Sequence, residues 1–396
     1  MALFLTIVLD GLGVGAQPDA ARYGDEASHT LGHVCAAASP HLPNLQRLGL
    51  GNIEPLHGVA PAEKPAANYG RMKAVSPGKD STTGHWELAG LRLERAFPTY
   101  PDGFPDQLIR RFKSLAGVDG VLGNRAASGT EIVAELGDEH VKTGYPIVYT
   151  SADSVFQIAA HEEVIPLERL YRMCEIARDR ICIDEHAVGR VIARPFVGSS
   201  GAYERVSSNR KDYSVEPRAE TLQQALLTRG VETISIGKVG DLFGGVGFSR
   251  IVSTRSNADG IARTLEQLRA DDGTDRFIWV NLVDFDQEFG HRNDVEGFAR
   301  ALEEFDQAVP SILDALPQDG QMIITADHGN DPTTPGTDHS REYVPVLYYH
   351  GGAGRDIGTR DTFNDHAATV AEFFKVPFER TGASFLNGRP VAGNLR

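Results

Sequence analysis

The sequence has few of the features that mark secreted or membrane-spanning proteins. It contains three cysteines, Cys35, Cys174 and Cys182, an odd number without metal-type spacing, so we expect no disulfide framework. The apolar run at residues 3–9 has no basic flank and is too short to span a bilayer. We therefore expect a cytoplasmic protein that makes no membrane contact.

Basic residues are also in deficit. Lys and Arg total 39 against 54 Asp and Glu, a formal net charge of −15. This balance disfavours a nucleic-acid partner, because such affinity comes largely from cationic side chains on phosphates. The glycines after the first apolar run, "GLGVGA", lack the G-x-G-x-x-G spacing of a dinucleotide site. A small phosphorylated ligand held locally by metal ions stays compatible with the acidic composition.

Apolar segments alternate with amphipathic ones over most of the 396 residues. Strands are predicted at 3–9, 232–236, 277–283, 322–325 and 344–349, and helices at 218–230, 257–270, 295–316 and 362–376, the last with Asp365 as N-cap. Strands that are apolar throughout and separated by helices indicate a mostly parallel sheet covered on both faces.

The middle of the chain, residues 97–216, has a different pattern. It opens with "FPTYPDGFP" and continues with an apolar run at 146–161, a helix near 167–182 and a strand near 188–198. Residues of metal-ligand type lie on both sides of this block. We therefore predict a discontinuous metal-binding catalytic core, 1–96 and 217–396, interrupted by an inserted domain, 97–216.

Carboxylates and imidazoles follow three of the predicted strands. Each alone is more simply read as a turn or capping residue, but the carboxyl ends of neighbouring parallel strands meet at one edge of a sheet. Three aspartates and three histidines are too many for one tetrahedral site and suit two adjacent cations. The six candidate ligands are Asp10, Asp286, His291, Asp327, His328 and His339.

A cluster of hydroxyls, Ser81, Thr82 and Thr83, precedes Gly84 and a helix-prone segment. Backbone N–H groups at a helix N-terminus stabilise an attached phosphate, and a nearby divalent metal makes a hydroxyl nucleophilic. The residues themselves do not choose among the three hydroxyls. With the metal candidates, they predict a two-metal site for phosphoryl transfer.

Motifs spread over nearly the whole chain resemble those of the phosphopentomutase family, within the alkaline phosphatase superfamily. In order, they are "DGLGVGAQPDAARYGDE", "GKDSTTGHWE", "YTSADSVFQIAAHE", "GRVIARPF", "NRKDYSVEP", "GKVGDLF", "VDFDQEFGHRND" and "ITADHGNDPTTPGTDHSREYVP". The resemblance implies an α/β fold, in which an alkaline-phosphatase-like core with a mostly parallel central sheet flanked by helices carries an inserted, smaller α/β cap domain that binds substrate. The helix near the C-terminus departs from the family pattern by carrying His366.

The resemblance also implies roles for individual residues. The six candidate ligands would hold two Mn²⁺ ions, with other divalent cations possible. The threonine directly before Gly-His-Trp-Glu, Thr83, would be the nucleophile. The implied substrate contacts are Ser151, Asp153, Val155, Arg190, Ile192 and Lys238.

The implied activity is the interconversion of α-D-ribose 1-phosphate and D-ribose 5-phosphate, and of the 2-deoxy sugars. It would run through a phosphothreonine enzyme and a sugar 1,5-bisphosphate. A sugar bisphosphate such as glucose 1,6-bisphosphate or ribose 1,5-bisphosphate would prime it. The partners are then small pentose phosphates, and no obligate protein partner is evident.

Three other readings stay open at this point. A cofactor-independent phosphoglycerate mutase shares the superfamily core, but its nucleophile is a serine four residues before the histidine, the place of Ser81 here. The motif Thr-Gly-His-Trp-Glu favours the pentomutase. The others are a metal-dependent phosphatase, and a catalytically inactive binding protein that keeps the fold.

Overall fold

The computed structural model describes residues 1–151, 153–270, 273–378 and 382–386. The chain divides into two compact units, a core unit of residues 1–96 with 217–396 and an inserted unit of residues 97–216. Among the described residues, no helix combines the length and apolar character that crossing a membrane requires.

Fourteen strands are present in the described residues. In chain order they are β1 (Leu3–Leu9), β2 (Asn68–Met72), β3 (Leu122–Ala126), β4 (Ile147–Thr150), β5 (Val155–His161), β6 (Arg190–Val197), β7 (Glu204–Arg205), β8 (Lys211–Ser214), β9 (Glu232–Ile236), β10 (Arg250–Val252), β11 (Arg276–Leu282), β12 (Gln321–Thr325), β13 (Val344–Tyr349) and β14 (Asp356–Arg360).

The same residues contain twelve α-helices. They are α1 (Thr30–Ala38), α2 (Pro43–Leu48), α3 (Leu50–Ile53), α4 (Ser81–Leu88), α5 (Asp106–Ala116), α6 (Gly129–Thr143), α7 (Leu167–Ile176), α8 (Leu222–Thr228), α9 (Val239–Leu242), α10 (Asn257–Arg269), α11 (Val295–Ala315) and α12 (Asn364–Phe373).

The core unit is built on an eight-stranded sheet in the order β10-β9-β11-β1-β12-β13-β2-β14. β1 runs parallel to both of its neighbours, β11 and β12, whereas β13 is antiparallel to β12 and β2. Every residue of β1 and β11 is buried, which explains why both strands are apolar nearly throughout. The predicted mostly parallel sheet is confirmed, and the carboxyl ends of β11, β1 and β12 lie side by side.

Two of the predicted helices begin later than the sequence suggested. The segment predicted at 218–230 begins at Leu222, because the Thr221 and Gln224 side chains form a capping box. The final helix begins at Asn364, so the prediction of Asp365 as its N-cap is wrong. Asp365 lies inside the helix, where its carboxylate accepts a hydrogen bond of 2.6 Å from Arg360 Nε.

The inserted unit has its own sheet, in the order β3-β4-β5-β6-β7, with β8 also paired to β6. Helices α5 and α7 cover one face, where Phe112 and Leu170 pack against Phe156. Helix α6 covers part of the other face, where Ile132 packs with Tyr149. The apolar run predicted at 146–161 is two antiparallel strands, β4 and β5. The helix predicted near 167–182 ends at Ile176 and continues as a π-helical turn over Ala177–Ile181.

Candidate active site

The carboxyl ends of β11, β1 and β12 bring three aspartates to one edge of the core sheet. Asp10 directly follows β1 and is fully buried. Asn281 on β11 donates a hydrogen bond of 3.0 Å from Nδ2 to Asp10 Oδ2, which fixes the carboxylate against the neighbouring strand. Asp327 follows β12, and its Oδ1 accepts a hydrogen bond of 3.3 Å from the Gly11 amide.

The chain leaves the strand before Asp327 and His328, so these adjacent side chains do not diverge as strand residues would. His328 Nε2 lies 3.4 Å from Asp327 Oδ2 and 3.3 Å from Asp10 Oδ1. An isolated antiparallel β-bridge pairs Gly329 with Ser340, so the chain returns to these side chains after the intervening loop. It brings the His339 ring to 4.0 Å from the His328 ring, centroid to centroid.

Asp286 forms the second half of the cluster. It lies in a π-helical turn, Phe285–Phe289, that begins soon after β11 ends. Its Oδ2 lies 3.2 Å from His291 Nε2 and its Oδ1 lies 3.3 Å from His339 Nε2. His291 Nδ1 donates to the Thr337 carbonyl at 2.6 Å, so Nε2 is the nitrogen that faces the carboxylate. Asn330 Nδ2 donates to Asp286 Oδ1 at 2.7 Å.

The cluster is strongly coupled electrostatically. Burial opposes the charged form of His328, but the nearby carboxylates outweigh it and raise its pKa to about 10. Burial likewise opposes charge on His291, and Asp286 raises the pKa of this imidazole to about 9. Burial would raise the pKa of Asp286, but its histidine neighbours hold that pKa well below the usual range. The carboxylates and imidazoles of the cluster therefore stabilise one another's charged forms.

The donor set fits divalent cations. Asp10 Oδ1, Asp327 Oδ2 and His339 Nε2 are buried and have no hydrogen-bond partner among the residues that the structure describes. Two overlapping groups bring one ligand atom from each member within 4.8 Å of the others, namely Asp286 with His291 and His339, and Asp10 with Asp286 and His328. Buried unpaired ligand atoms are costly unless something binds them. Carboxylate oxygens with imidazole nitrogens suit manganese, iron, cobalt or zinc.

The three hydroxyls differ in what they contact. Asp80 is the N-cap of α4, so Ser81 is its first residue. Ser81 Oγ lies 3.2 Å from His328 Nε2 and accepts a hydrogen bond of 3.1 Å from Lys238 Nζ. Thr83 Oγ1 instead donates a hydrogen bond of 2.6 Å to Asp80 Oδ2. These distances support Ser81, and not Thr83, as the hydroxyl beside the cluster.

Helix α4 packs closely against the Asp327 backbone. A Cβ added at Gly84 would lie 2.1 Å from the Asp327 carbonyl oxygen, so only glycine allows this approach. His85 Nδ1 donates to the Ser81 carbonyl at 2.9 Å and lies 3.1 Å from Asp327 Oδ2. The helix therefore holds Ser81 and Asp327 in a fixed relation.

The remaining predicted contacts fall in two places. Lys238 lies in the core unit beside Ser81. The others lie in the inserted unit, where β5 and β6 pair in register Val155 with Arg190. Asp153 Oδ2 lies 3.5 Å from Arg190 Nη2. Val155 and Ile192 are buried, and Ser151 is partly buried.

Known proteins similar to this chain identify its family. A family model described as the metalloenzyme superfamily matches residues 2–378. A phosphopentomutase of Caldanaerobacter subterraneus subsp. tengcongensis is 54% identical over 389 residues, which cover 98% of this chain and 98% of the relative. A phosphopentomutase of Acetivibrio thermocellus is 54% identical over 385 residues, 96% of this chain and 98% of the relative. The chain belongs to the phosphopentomutase family. It is thus a metal-dependent phosphomutase, an isomerase.

Solved structures also align with this phosphopentomutase family member over most of its length. A Leishmania mexicana phosphoglycerate mutase at low cobalt concentration gives a TM-score of 0.48 at 14% identity, covering 96% of this chain and 97% of that one. The PH0037 protein of Pyrococcus horikoshii gives 0.47 at 18% identity, covering 96% and 99%.

Several side chains of the site carry no sequence signal of their own. Asn281 and Asn330 hold the carboxylates of Asp10 and Asp286, and His85 links Ser81 to Asp327. Asn330 and His85 stand inside the two motifs that are most specific for the phosphopentomutase family, "TADHGNDPTTPGTDH" and "GKDSTTGHWE". Asn281 is an isolated polar residue in an apolar strand, and that exception is the only signal it gives.

Proposed function

We propose that this member of the phosphopentomutase family transfers phosphoryl groups through the Ser81 hydroxyl. The observation that carries the proposal is the position of Ser81 Oγ, 3.1 Å from Lys238 Nζ and 3.2 Å from His328 Nε2, within the residues that fit metal ions. The resemblance implied Thr83 as the nucleophile. We propose Ser81 in its place, because the Thr83 hydroxyl donates its hydrogen bond to Asp80.

The proposed substrates are α-D-ribose 1-phosphate and D-ribose 5-phosphate, with their 2-deoxy analogues. Phospho-Ser81 donates its phosphoryl group to the free hydroxyl of the sugar monophosphate, which gives a 1,5-bisphosphate and free Ser81. The bisphosphate then returns its other phosphoryl group to Ser81, and the isomeric monophosphate leaves. A sugar bisphosphate such as glucose 1,6-bisphosphate or ribose 1,5-bisphosphate supplies the first phosphoryl group.

The residues around Ser81 have distinct roles in this transfer. The Lys238 ammonium group donates to Ser81 Oγ, so it favours the alkoxide and then neutralises phosphate charge. Ser81 is the first residue of α4, so the partial positive charge of the helix N-terminus lies close to its hydroxyl and favours an anion there. Positioning and charge neutralisation of this kind account for most of the catalysis of phosphoryl transfer.

Two divalent cations, held by Asp10, Asp286, His291, Asp327, His328 and His339, would supply the positive charge that stabilises the entering and leaving oxygens. We propose manganese as the preferred ion, because a mixed carboxylate and imidazole donor set suits it, although zinc competes for imidazole. Asn281 and Asn330 orient two of the carboxylates.

The inserted unit is proposed to recognise the sugar. The Arg190 guanidinium group offers a fork of donors to an anion, and the Asp153 carboxylate accepts from sugar hydroxyls. Val155 lies on β5 and Ile192 on β6, and Ser151 directly follows β4. Exclusion of water from phospho-Ser81 is the physical requirement that separates a mutase from a phosphatase.

The test is turnover of ribose 1-phosphate by the manganese-loaded protein with glucose 1,6-bisphosphate as primer. Ribose 5-phosphate and free phosphate are measured together, and metal content is measured on the same sample. We expect two metals per chain and ribose 5-phosphate in large excess over phosphate. Phosphate release that equals turnover would instead indicate a phosphatase. In a parallel assay, conversion of 3-phosphoglycerate without conversion of ribose 1-phosphate would indicate a phosphoglycerate mutase.

A further inference from the structure

Arg341 is an arginine buried close to the candidate metal ligands. It follows His339 by two positions and is 3% exposed. Its main chain is held on both sides, because its N–H donates to Asp25 Oδ2 at 2.9 Å and its carbonyl accepts from the Gln17 amide at 3.0 Å. An arginine is rarely buried unless it is paired, so the partners of its guanidinium group show what this side chain holds.

All five donor hydrogens of the Arg341 guanidinium group are used. The Asp19 carboxylate accepts from Nε at 3.2 Å and from Nη2 at 3.1 Å. The other bonds go to main-chain carbonyls of one segment. Nη1 donates to Ser76 at 2.7 Å and to Gly78 at 3.0 Å, and Nη2 donates to Ala74 at 3.0 Å. One side chain therefore holds every second carbonyl of this segment, and a carboxylate neutralises its charge.

Other side chains bind the main chain of the same segment, residues 74–78. The Glu87 carboxylate accepts from the Ser76 amide at 2.7 Å. The Tyr23 hydroxyl donates to the Pro77 carbonyl at 2.7 Å. A loop held through its own backbone groups cannot shift without breaking several hydrogen bonds at once, so this segment is a rigid support.

The segment leads directly into the start of α4. Gly78 packs against the first turn, since a Cβ added there would lie 2.3 Å from Thr83 Oγ1 and 2.9 Å from Asp80 Oδ2. Asp80 is the N-cap, so a shift of the segment would move the residue at which the helix begins. Ser81 follows directly, and its Oγ lies 3.2 Å from His328 Nε2. The position of the Ser81 hydroxyl relative to the candidate ligands therefore depends on this segment.

We propose that Arg341 is a positioning residue for phosphoryl transfer, which holds the Ser81 hydroxyl in place relative to the metal ligands. The proposal rests on the proposed function, in which Ser81 carries the phosphoryl group. Arg341 lies on the same stretch of chain as His339 and binds the segment before Ser81, so it joins the two sides of the transfer. A lysine would keep a positive charge beside Asp19, but its ammonium group has three donors on one atom and cannot also bind three carbonyls.

The test follows the first phosphoryl transfer alone. The full-length, manganese-loaded protein is mixed rapidly with glucose 1,6-bisphosphate, and phosphate on Ser81 is measured against time by quenched flow and peptide mass spectrometry. We expect Arg341→Lys to lower the rate at saturating bisphosphate about 100-fold, the effect of a misplacement of about 1 Å. The bisphosphate concentration that gives half of the maximal rate and the manganese content should both stay at their wild-type values. A residue that acted through substrate binding or through His339 would change one of them.

Arg276→Lys is the matched control. Arg276 is an equally buried arginine of the core unit, 1% exposed, and its Nη1 donates to the Gln267 carbonyl at 2.6 Å. It begins β11, at the end of that strand opposite to the candidate ligands. Its replacement should lower stability in urea denaturation and leave the rate of transfer unchanged.

Tyr23→Phe is a second variant that keeps the test decisive if Arg341→Lys does not fold. It removes only the hydrogen bond to Pro77, so we expect a rate about 5-fold lower. A wild-type rate in Arg341→Lys, or in Tyr23→Phe where only that variant folds, would overturn the inference. So would a manganese loss that accounts for the slower rate, or an equal loss of rate in Arg276→Lys. If the wild type becomes phosphorylated on Ser81 and the variants match it, this inference fails alone. If the wild type acquires no phosphate on Ser81, the proposed function fails.

Discussion

Replacement of Gly84 by alanine tests whether the close approach of α4 to Asp327 is essential. The added methyl carbon would lie 2.1 Å from the Asp327 carbonyl oxygen and 2.9 Å from Asp327 Cβ. Ordinary contacts of a Cβ begin at 3.4 Å, so the helix and the Asp327 backbone must separate by more than an ångström. Both neighbours are backbone or rigidly held groups, so the separation has to be a movement of whole elements.

Two effects of opposite sign compete in this variant. Alanine is favoured over glycine inside a helix by about 1 kcal/mol, which alone would stabilise the protein. Overpacking of a buried contact costs about 1–3 kcal/mol. A misplacement of about 1 Å in an active site can cost about 100-fold in rate. We therefore expect Gly84→Ala to lower the free energy of unfolding slightly and to lower mutase activity about 100-fold.

The assay pairs urea denaturation with turnover and metal content. Gly336→Ala is the matched control, because a Cβ at Gly336 would meet no atom within 4 Å. That variant should keep wild-type activity. A Gly84→Ala protein that is more stable than the wild type and fully active would refute the argument that α4 fixes the position of Asp327.

Two further substitutions test other parts of the account. His366 is fully buried, and burial lowers its pKa to about 4. Because the unfolded imidazole titrates near pH 6.5, the contribution of His366 to the free energy of unfolding is fully present above that pH and falls by about 3 kcal/mol as the pH drops toward 4. In urea denaturation at a series of pH values, His366→Leu should reduce the loss of stability between pH 6.5 and 4. A loss equal to that of the wild type would contradict the assignment. Lys79 Nζ lies 3.1 Å from both Asp25 and Asp338, beside His339. Lys79→Met should release the Asp338 carboxylate and loosen the segment that positions His339, so we expect metal binding to weaken about 5-fold in a metal titration, the effect of about 1 kcal/mol for partly exposed pairs. Lys73→Met, which removes a contact of 3.9 Å to exposed Asp361, is its control, and equal effects of the two substitutions would argue against a role for Lys79.

The core sheet and the metal-ligand cluster follow from the sequence for one physical reason. Strands buried on both faces must be apolar over their whole length, so β1, β11 and β12 stand out from their surroundings. Charged residues that follow such strands are exceptions at a defined edge of the sheet. Asp10, Asp286 and Asp327 could therefore be placed together before any coordinate was known.

Which hydroxyl lies beside the metal-ligand cluster depends on the residue at which α4 begins. The three hydroxyl-bearing residues alone do not reveal that start. Asp80 takes the N-cap position, and its carboxylate accepts the Thr83 amide at 3.0 Å. Ser81 and Thr83 are two residues apart, and about 100° per residue places them on different sides of the helix. Only one of them can face His328, and the N-cap at Asp80 decides which.

The residues that hydrogen-bond to the candidate metal ligands could not be predicted from the sequence either. Asn281 lies in an apolar strand 271 positions from the Asp10 that it contacts, and such long-range hydrogen bonds leave no local pattern.

The most direct test of the account is to locate the phosphate on the protein. The manganese-loaded chain is treated with glucose 1,6-bisphosphate, and the modified residue is identified by peptide mass spectrometry. We predict one phosphoryl group on Ser81, retained in Thr83→Val and absent from Ser81→Ala. Phosphate on Thr83, with Ser81→Ala still modified and active, would contradict the central claim that Ser81 is the residue through which phosphoryl groups are transferred.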